Sequence, residues 1–254
     1  MCLIVFSWES HPDYRLVLAT NRDELHARPT QDMHWWPDRP DVLAGRDLQA
    51  GGTWFAITRG GRFASVTNYR EARPNRTGRK SRGDLVTQFV NGMDSPSDFV
   101  ARIDGERYAG FNLLAADNTG IWYVSNRGAE PVQLPAGVYG LSNAALDAPR
   151  SKLIRARDAL GKLVKSDDVD STRLIRLLAD RTLEPVSNIE QGNLPFELAR
   201  AVTAAFVVSE TYGTRCTTTL TWSRDGDVAV TERRFDPQGE TSGESVFRFQ
   251  TTGS

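Results

Sequence analysis

The chain opens with an apolar run at residues 2–8 (CLIVFSW), breaks at His11, Pro12 and Asp13, and resumes with a second apolar run at residues 14–20. Two β-rich runs separated by a short polar turn predict a hairpin that starts at the second residue and holds a terminus that would otherwise fray. Residues 21–47 are rich in Arg, Asp and Pro, show no repeating apolar face and read as irregular, with Trp35 and Trp36 as an anchor. A second hairpin is expected from WFAIT at Trp54 and RFASVTNY at Arg62, turned by Gly60 and Gly61. Residues 70–82 again lack an apolar repeat and read as an exposed loop.

The period changes after Arg82. Leu85, Val86, Phe89 and Val90 recur at helical spacing, and Ser95 or Ser97 introduces a short helix carrying Phe99, Val100 and Ile103. Strand patterns return at residues 108–115, 121–125 and 137–141. Asp147 and Pro149 then precede the clearest helical stripe, Leu153, Ala156, Leu160 and Leu163, and a further helix is expected over residues 172–181. The last third reads as β at residues 204–212, 216–222 and 228–235, with Asp225 and Gly226 turning the final pair and residues 245–250 as an edge strand. Strands, then helices, then strands, without regular βα alternation, favour a layered α+β sandwich over a doubly wound fold. No linker interrupts the pattern, so residues 1–254 are expected to form a single domain.

Charge removes several partner classes. With 31 basic and 32 acidic side chains among 254 residues, the chain lacks the basic excess of a surface built for nucleic acid or an anionic membrane. The 27 arginines against four lysines read as compositional background, although residues 59–82 hold eight basic side chains and one acid, Glu71. No stretch approaches the length of a membrane span and no secretory signal pattern precedes the first strand, so no integral membrane segment and a cytoplasmic location are expected. Cys2 and Cys216 are too few for a disulfide scaffold and lack zinc-site spacing; the sequence leaves open whether they pair. No metal site is expected, since His11, His26 and His34 form no ligand spacing.

Cys2 carries the sharpest chemistry. Removal of Met1 would place a thiol and a free α-amine on one residue, with ordinary pKa values of about 8.5 and 7.7–8.0, so that the amine serves as general base while the thiolate attacks a carbonyl. Read alone, Cys2 fits a buried apolar residue of the first strand equally well. The tetrapeptide NRDE at residues 21–24 is expected directly after the second strand, where the hairpin returns it beside Cys2. Arg22 could then favour the thiolate and Asp23 could orient the amine, or all four residues could form a self-bonded turn.

The initial Met-Cys with NRDE, GGTWFAI at Gly51, TNYR at Thr67, SRG at Ser81, GFNLL at Gly110 and YGLSNA at Tyr139 together resemble the NRDE protein family, also called the transport and Golgi organisation 2 family. The resemblance runs to about residue 222 and implies an N-terminal nucleophile hydrolase-like fold, a four-layer α-β-β-α sandwich with two antiparallel sheets at its centre. By motif, Cys2 matches the nucleophile of the cysteine amidases of that superfamily, Asp23 the acid that holds the α-amine, and Arg22 the arginine beside the thiol. Asn68 and Asn143 match oxyanion-stabilising asparagines, and Arg215 a late arginine near the nucleophile. Asn21, Trp54, Arg70 and Arg73 are candidates for contacting substrate. Such an amidase needs no cofactor and takes a small-molecule amide. The resemblance also implies an alternative, a non-catalytic carrier of haem, lipid or acyl-coenzyme A, whose ligand is a hydrophobic anion and in which Cys2 serves as a soft axial ligand.

Overall fold

The computed structural model describes residues 2–71, 79–128, 130–166 and 168–252. They fall into two compact units, residues 1–27 with 136–248 and residues 28–135 with 249–254.

The first unit is built on a six-stranded sheet. β1 (Cys2–Trp8) and β2 (Tyr14–Leu25) form the expected hairpin, β10 (Gly137–Leu141) flanks β1, and β11 (Tyr212–Ser223), β12 (Asp227–Phe235) and β13 (Thr241–Gln250) follow on the other side, in the order β10-β1-β2-β11-β12-β13. Gly226, at φ +92°, makes the expected turn between β11 and β12. One face of this sheet is covered by α3 (Ser151–Leu163) and α4 (Ser171–Leu177), where Leu153, Ala156, Leu160, Leu174 and Leu178 pack on Leu3, Val5, Val17 and Ala19. Truncating one such leucine costs about 2–5 kcal/mol. Gly140 permits the close approach of α3, since a Cβ there would lie 2.6 Å from Leu153 Cδ1.

The second unit carries a seven-stranded antiparallel meander of β3 (Thr30–Trp36), β4 (Arg39–Asp47), β5 (Phe55–Thr58), β6 (Phe63–Asn68), β7 (Phe111–Asp117), β8 (Gly120–Ser125) and β9 (Val132–Gln133). The predicted stripe of α1 (Gly83–Asn91), Leu85, Val86, Phe89 and Val90, joins Val100 of α2 (Pro96–Ala101) over Ala56, Ala64, Phe111, Leu113 and Val124. Ser95 caps α2, accepting from the Asp98 amide at 3.2 Å. Both sheets are thus antiparallel and flanked by helices, as an α+β sandwich requires.

Four expectations are corrected. Residues 30–47 are not irregular but form the β3–β4 hairpin; Pro37 and Asp38 supply its turn, and β4 is held on its other side by β5. NRDE does not follow the second strand but lies within it, because β11 is long enough to pair with β2 as far as Leu25. Residues 204–210 are not a strand; residues 204–207 are buried with their backbone committed elsewhere, Phe206 N–H donating to Asp180 O and the Ala205 carbonyl accepting from Asn21. Asp147 does not start α3. At φ +54° it accepts from Gly140 N–H (2.9 Å) and Arg157 Nη1 (3.1 Å), tying the helix back to β10. α5 (Phe196–Ala201) adds a short helix without a sequence counterpart in the pattern above.

Candidate active site

Strand register gathers the chemistry in the first unit. Cys2 stands opposite Arg22, Arg22 opposite Cys216, and Cys216 opposite Arg234, so these four side chains form one row across β1, β2, β11 and β12. Side chains alternate along a strand. Leu3 and Ala19 lie under the helices, so Cys2 and Arg22 face the opposite side. Ile4 pairs with Leu141 of β10, and two further residues of chain carry Asn143 to the level of Cys2.

Cys2 is half-buried. Burial pushes its thiol up, as does the Asp23 carboxylate, while the Asp23 backbone N–H, donating to the sulfur, and the Arg22 guanidinium favour the thiolate. Asp23 is 2% exposed. Thr214 Oγ1 donates to its Oδ1 at 2.7 Å, and Tyr212 donates its hydroxyl to the Asp23 carbonyl at 2.7 Å. Burial raises the Asp23 carboxyl, opposed by the charge of Lys152 and by the Thr214 hydrogen bond. Lys152 is itself held in place, donating to the carbonyls of Val202 (2.7 Å) and Ala204 (3.0 Å). This arrangement can hold a nucleophilic sulfur beside a cation and an acid of fixed orientation.

The other predicted residues divide. Asn21 is a structural tie rather than a substrate contact: it is fully buried on the helix-covered face, its Nδ2 donates to Leu178 O (3.0 Å) and Ala205 O (2.9 Å), and its Oδ1 accepts from Thr217 Oγ1 (2.6 Å). Arg215 is the extra residue of a bulge in β11, and its Nη1 donates to the carbonyls of Leu25 (2.9 Å) and His26 (3.1 Å), so it secures the end of β2. Trp54, Asn68 and Arg70 belong to the second unit. There Asn68 closes β6 opposite Phe111, Arg70 is exposed in the segment beyond, and the Trp54 ring packs on Gly45, where a Cβ would come within 2.4 Å of it. Arg73 lies outside the described residues. The described residues contain no group of three or more His, Cys, Asp or Glu that could hold a metal ion, and no helix long and apolar enough to cross a membrane.

Three participants escaped the sequence reading: Thr214, Lys152 and Glu232. Glu232 is 1% exposed and continues the inward parity of Val228 and Val230, so a lone acid in phase with buried valines was the available signal. It accepts a hydrogen bond from the Cys216 thiol.

A profile of the family described as Transport and Golgi organisation 2 matches residues 1–237. The chain belongs to that family. Among proteins of the Transport and Golgi organisation 2 family, the homolog of Bos taurus is 37% identical over 281 residues, covering 99% of this chain and all of its own length. The Homo sapiens homolog is 33% identical over 256 residues, covering 92% of each. A solved N-acylethanolamine-hydrolyzing acid amidase ortholog from Caenorhabditis elegans superimposes with a TM-score of 0.54 at 12% identity, over 86% of this chain and 92% of that one. This likeness shows the N-terminal nucleophile hydrolase-like fold.

The register also settles the cysteines of this family member. Both are free thiols, and Arg22 of β2 stands between them. Strands two places apart are separated by roughly 9.5 Å, beyond the Cα–Cα reach of a disulfide, about 4.4–6.8 Å. Cys216 is 5% exposed, and burial followed by the Glu232 carboxylate holds its thiol well above the ordinary range. Iodoacetamide near pH 8 will therefore modify Cys2 at least about tenfold faster than Cys216, and Arg22→Gln will slow Cys2 severalfold by withdrawing the cation that favours its thiolate. Peptide mapping by mass spectrometry over a time course checks both. Equal rates at the two thiols would refute the assignment of Cys2 as the reactive one.

Proposed function

We propose that the chain is an N-terminal cysteine amidohydrolase acting on a small N-acyl or related amide. The observation that carries this reading is the setting of Cys2, whose sulfur accepts the Asp23 backbone N–H and lies opposite Arg22. The Asp23 carboxyl is meanwhile held by Thr214 on the adjoining strand. Removal of Met1 frees the Cys2 amine. The amine takes the thiol proton as Sγ attacks the carbonyl carbon; the oxyanion is stabilised by the amide of Asn143; the ammonium then protonates the leaving nitrogen. Water, deprotonated by the same amine, hydrolyses the thioester and restores the thiol. Asp23 orients the amine and stabilises its charged form. The C. elegans neighbour of this fold is named for hydrolysing N-acylethanolamines, which supports an amide as the substrate class.

The test combines intact-mass measurement of Met1 loss with amine release from a panel of N-acyl amides, for wild type and Asp23→Asn. The asparagine keeps an acceptor for Thr214 but cannot balance the ammonium, so turnover is expected to fall at least about a hundredfold. Stability should move the other way. The folded Asp23 carboxyl titrates above its ordinary 3.8 and holds its proton after the unfolded chain has lost it. Its contribution is therefore fully present below pH 3.8 and declines as pH rises through the folded value. Asp23→Asn, which never ionises, should melt higher than wild type at pH 7, with the advantage shrinking toward pH 4. Native protein that retains Met1 stoichiometrically, or a panel from which wild type releases no amine, overturns the amidase reading.

A further inference from the structure

The helix-covered face of the first sheet holds a cavity of about 150 Å³ that lies on the other side of the sheet from Cys2. Three of its lining residues are arginines: Arg176 from the last turn of α4, Arg181 from the segment that follows, and Arg233 from β12. Its apolar wall is the edge-to-face pair Phe206 and Phe235, with ring centroids 4.7 Å apart at 87°. Thr217, beside Cys216 in the chain but pointing to the opposite face, lines it with its side chain already donated to Asn21. Among the described residues, no acid lines the cavity.

The charges around it do not cancel. Arg233 is paired with Glu244 of β13, Nε to Oε2 at 2.7 Å. Arg181 lies over the Phe206 ring, 4.9 Å from its centroid, and donates Nη2 to the Gly239 carbonyl at 2.9 Å, which fixes the guanidinium at the rim without neutralising it. A Cβ on Gly239 would come within 2.8 Å of Arg181 Nη2, so the glycine leaves the room that this placement needs. Arg176 is exposed and, among the described residues, forms no ion pair and no side-chain hydrogen bond. Of the nearby acids, Asp180 is committed to Arg155 and the Thr182 amide and Asp236 to the Gln238 and Glu240 amides of its own turn, while Glu240, next to Gly239, is exposed and, among the described residues, pairs with none of these arginines. Two uncompensated guanidiniums thus converge on a small cavity with an aromatic wall.

We infer that this cavity is a second ligand site, distinct from the Cys2 centre, that binds a soluble phosphate monoester bearing a small apolar group. Two free positive charges match a phosphate monoester, which carries nearly two negative charges at neutral pH, better than a carboxylate. Guanidinium forks suit the oxygen geometry of phosphate. At the roughly 30 Å³ that liquid water occupies per molecule, the volume equals about five waters; it takes the phosphate and a short substituent against the phenylalanine pair and is well below the 300 Å³ or more of a pocket that encloses a drug-sized ligand. The inference does not depend on the amidase reading.

The test is calorimetric titration of the full chain with phenyl phosphate, inorganic phosphate and phenol, and co-sedimentation with vesicles containing phosphatidic acid. Phenyl phosphate should bind more tightly than inorganic phosphate, with phenol and the vesicles binding negligibly. Arg176→Gln with Arg181→Gln should weaken phenyl phosphate at least about tenfold, and Arg176→Glu with Arg181→Glu further, with the wild-type loss on raising salt being larger than that of the variants. Both arginines are exposed, so circular dichroism should stay at the wild-type spectrum, and losing the Arg181 contacts to Phe206 and Gly239 should lower melting by only a few degrees. Saturating phenyl phosphate should leave the rate of Cys2 alkylation unchanged, which separates this site from the catalytic one. Equal affinity in wild type and the charge variants, binding confined to the vesicles, or protection of Cys2 by phenyl phosphate would each overturn the inference.

Discussion

Cys2→Ser will lower amide turnover by at least about a thousandfold while leaving the affinity for an unreactive substrate analogue within about threefold of wild type. Serine is nearly isosteric with cysteine, so neither the β1–β2 pairing nor the hydrogen bond from the Asp23 amide should be lost. What disappears is the nucleophile: a hydroxyl in the same place ionises far less readily than a thiol, and removing the attacking group of an enzyme typically costs several orders of magnitude in kcat. Cys2→Ala will show the same loss without the alternative oxygen. Single-turnover assays and equilibrium binding of the analogue separate the two effects. If both variants transfer a hydrophobic anionic ligand such as haem or an acyl-coenzyme A as well as wild type, while wild type itself hydrolyses no amide, the carrier reading replaces the hydrolase.

The largest stability effect is expected one residue before Arg22. Asn21→Leu removes two donated hydrogen bonds and one accepted bond at a position with no solvent exposure, and strands the carbonyls of Leu178 and Ala205 and the hydroxyl of Thr217. Unsatisfied buried groups cost about 1–3 kcal/mol each, and partial relaxation brings the sum to about 3–5 kcal/mol. The melting temperature should fall by roughly 10 °C. Chemical denaturation at fixed pH measures the difference directly. A loss below about 1 kcal/mol would mean that these carbonyls find other donors and that Asn21 is not the tie between β2 and the segments after α4 and α5.

Asn21 also marks where the sequence stops being readable. Its neighbours Leu16 to Ala19 alternate against a helix layer and a facing row, so the strand is legible from polarity up to Thr20. Beyond it, four polar residues in succession look like a turn. Inside the sheet they are accommodated, because β1 and β11 satisfy their backbone, Thr217 and two distant carbonyls satisfy the Asn21 side chain, and Thr214 donates to Asp23 Oδ1. Those partners are up to 196 residues away in the chain, and no local pattern reveals them. The reverse failure occurs at Ala204 to Val207, where an apolar run looks like a strand but sits buried as irregular chain with its carbonyls spent on Asn21 and Lys152. The stripes of α1 and α3 were legible because a helix satisfies its own backbone and leaves only its apolar face to be explained. Cys2, Arg22 and Asp23 were legible as candidates from their residue types and motif, whereas Glu232 and Lys152 required the register.

The strand that separates the two thiols also decides how oxidants act on this protein. With β2 standing between them, Cys2 has no resolving cysteine within the described residues, and a sulfenic acid formed on it cannot be trapped as an internal bridge. Its outlets are condensation with a small cellular thiol, which a reductant reverses, or further oxidation, which is permanent. Oxidative stress is therefore expected to act on Cys2 as a reversible cap at low dose and as irreversible damage at high dose, with Cys216, buried beside Glu232, spared by both.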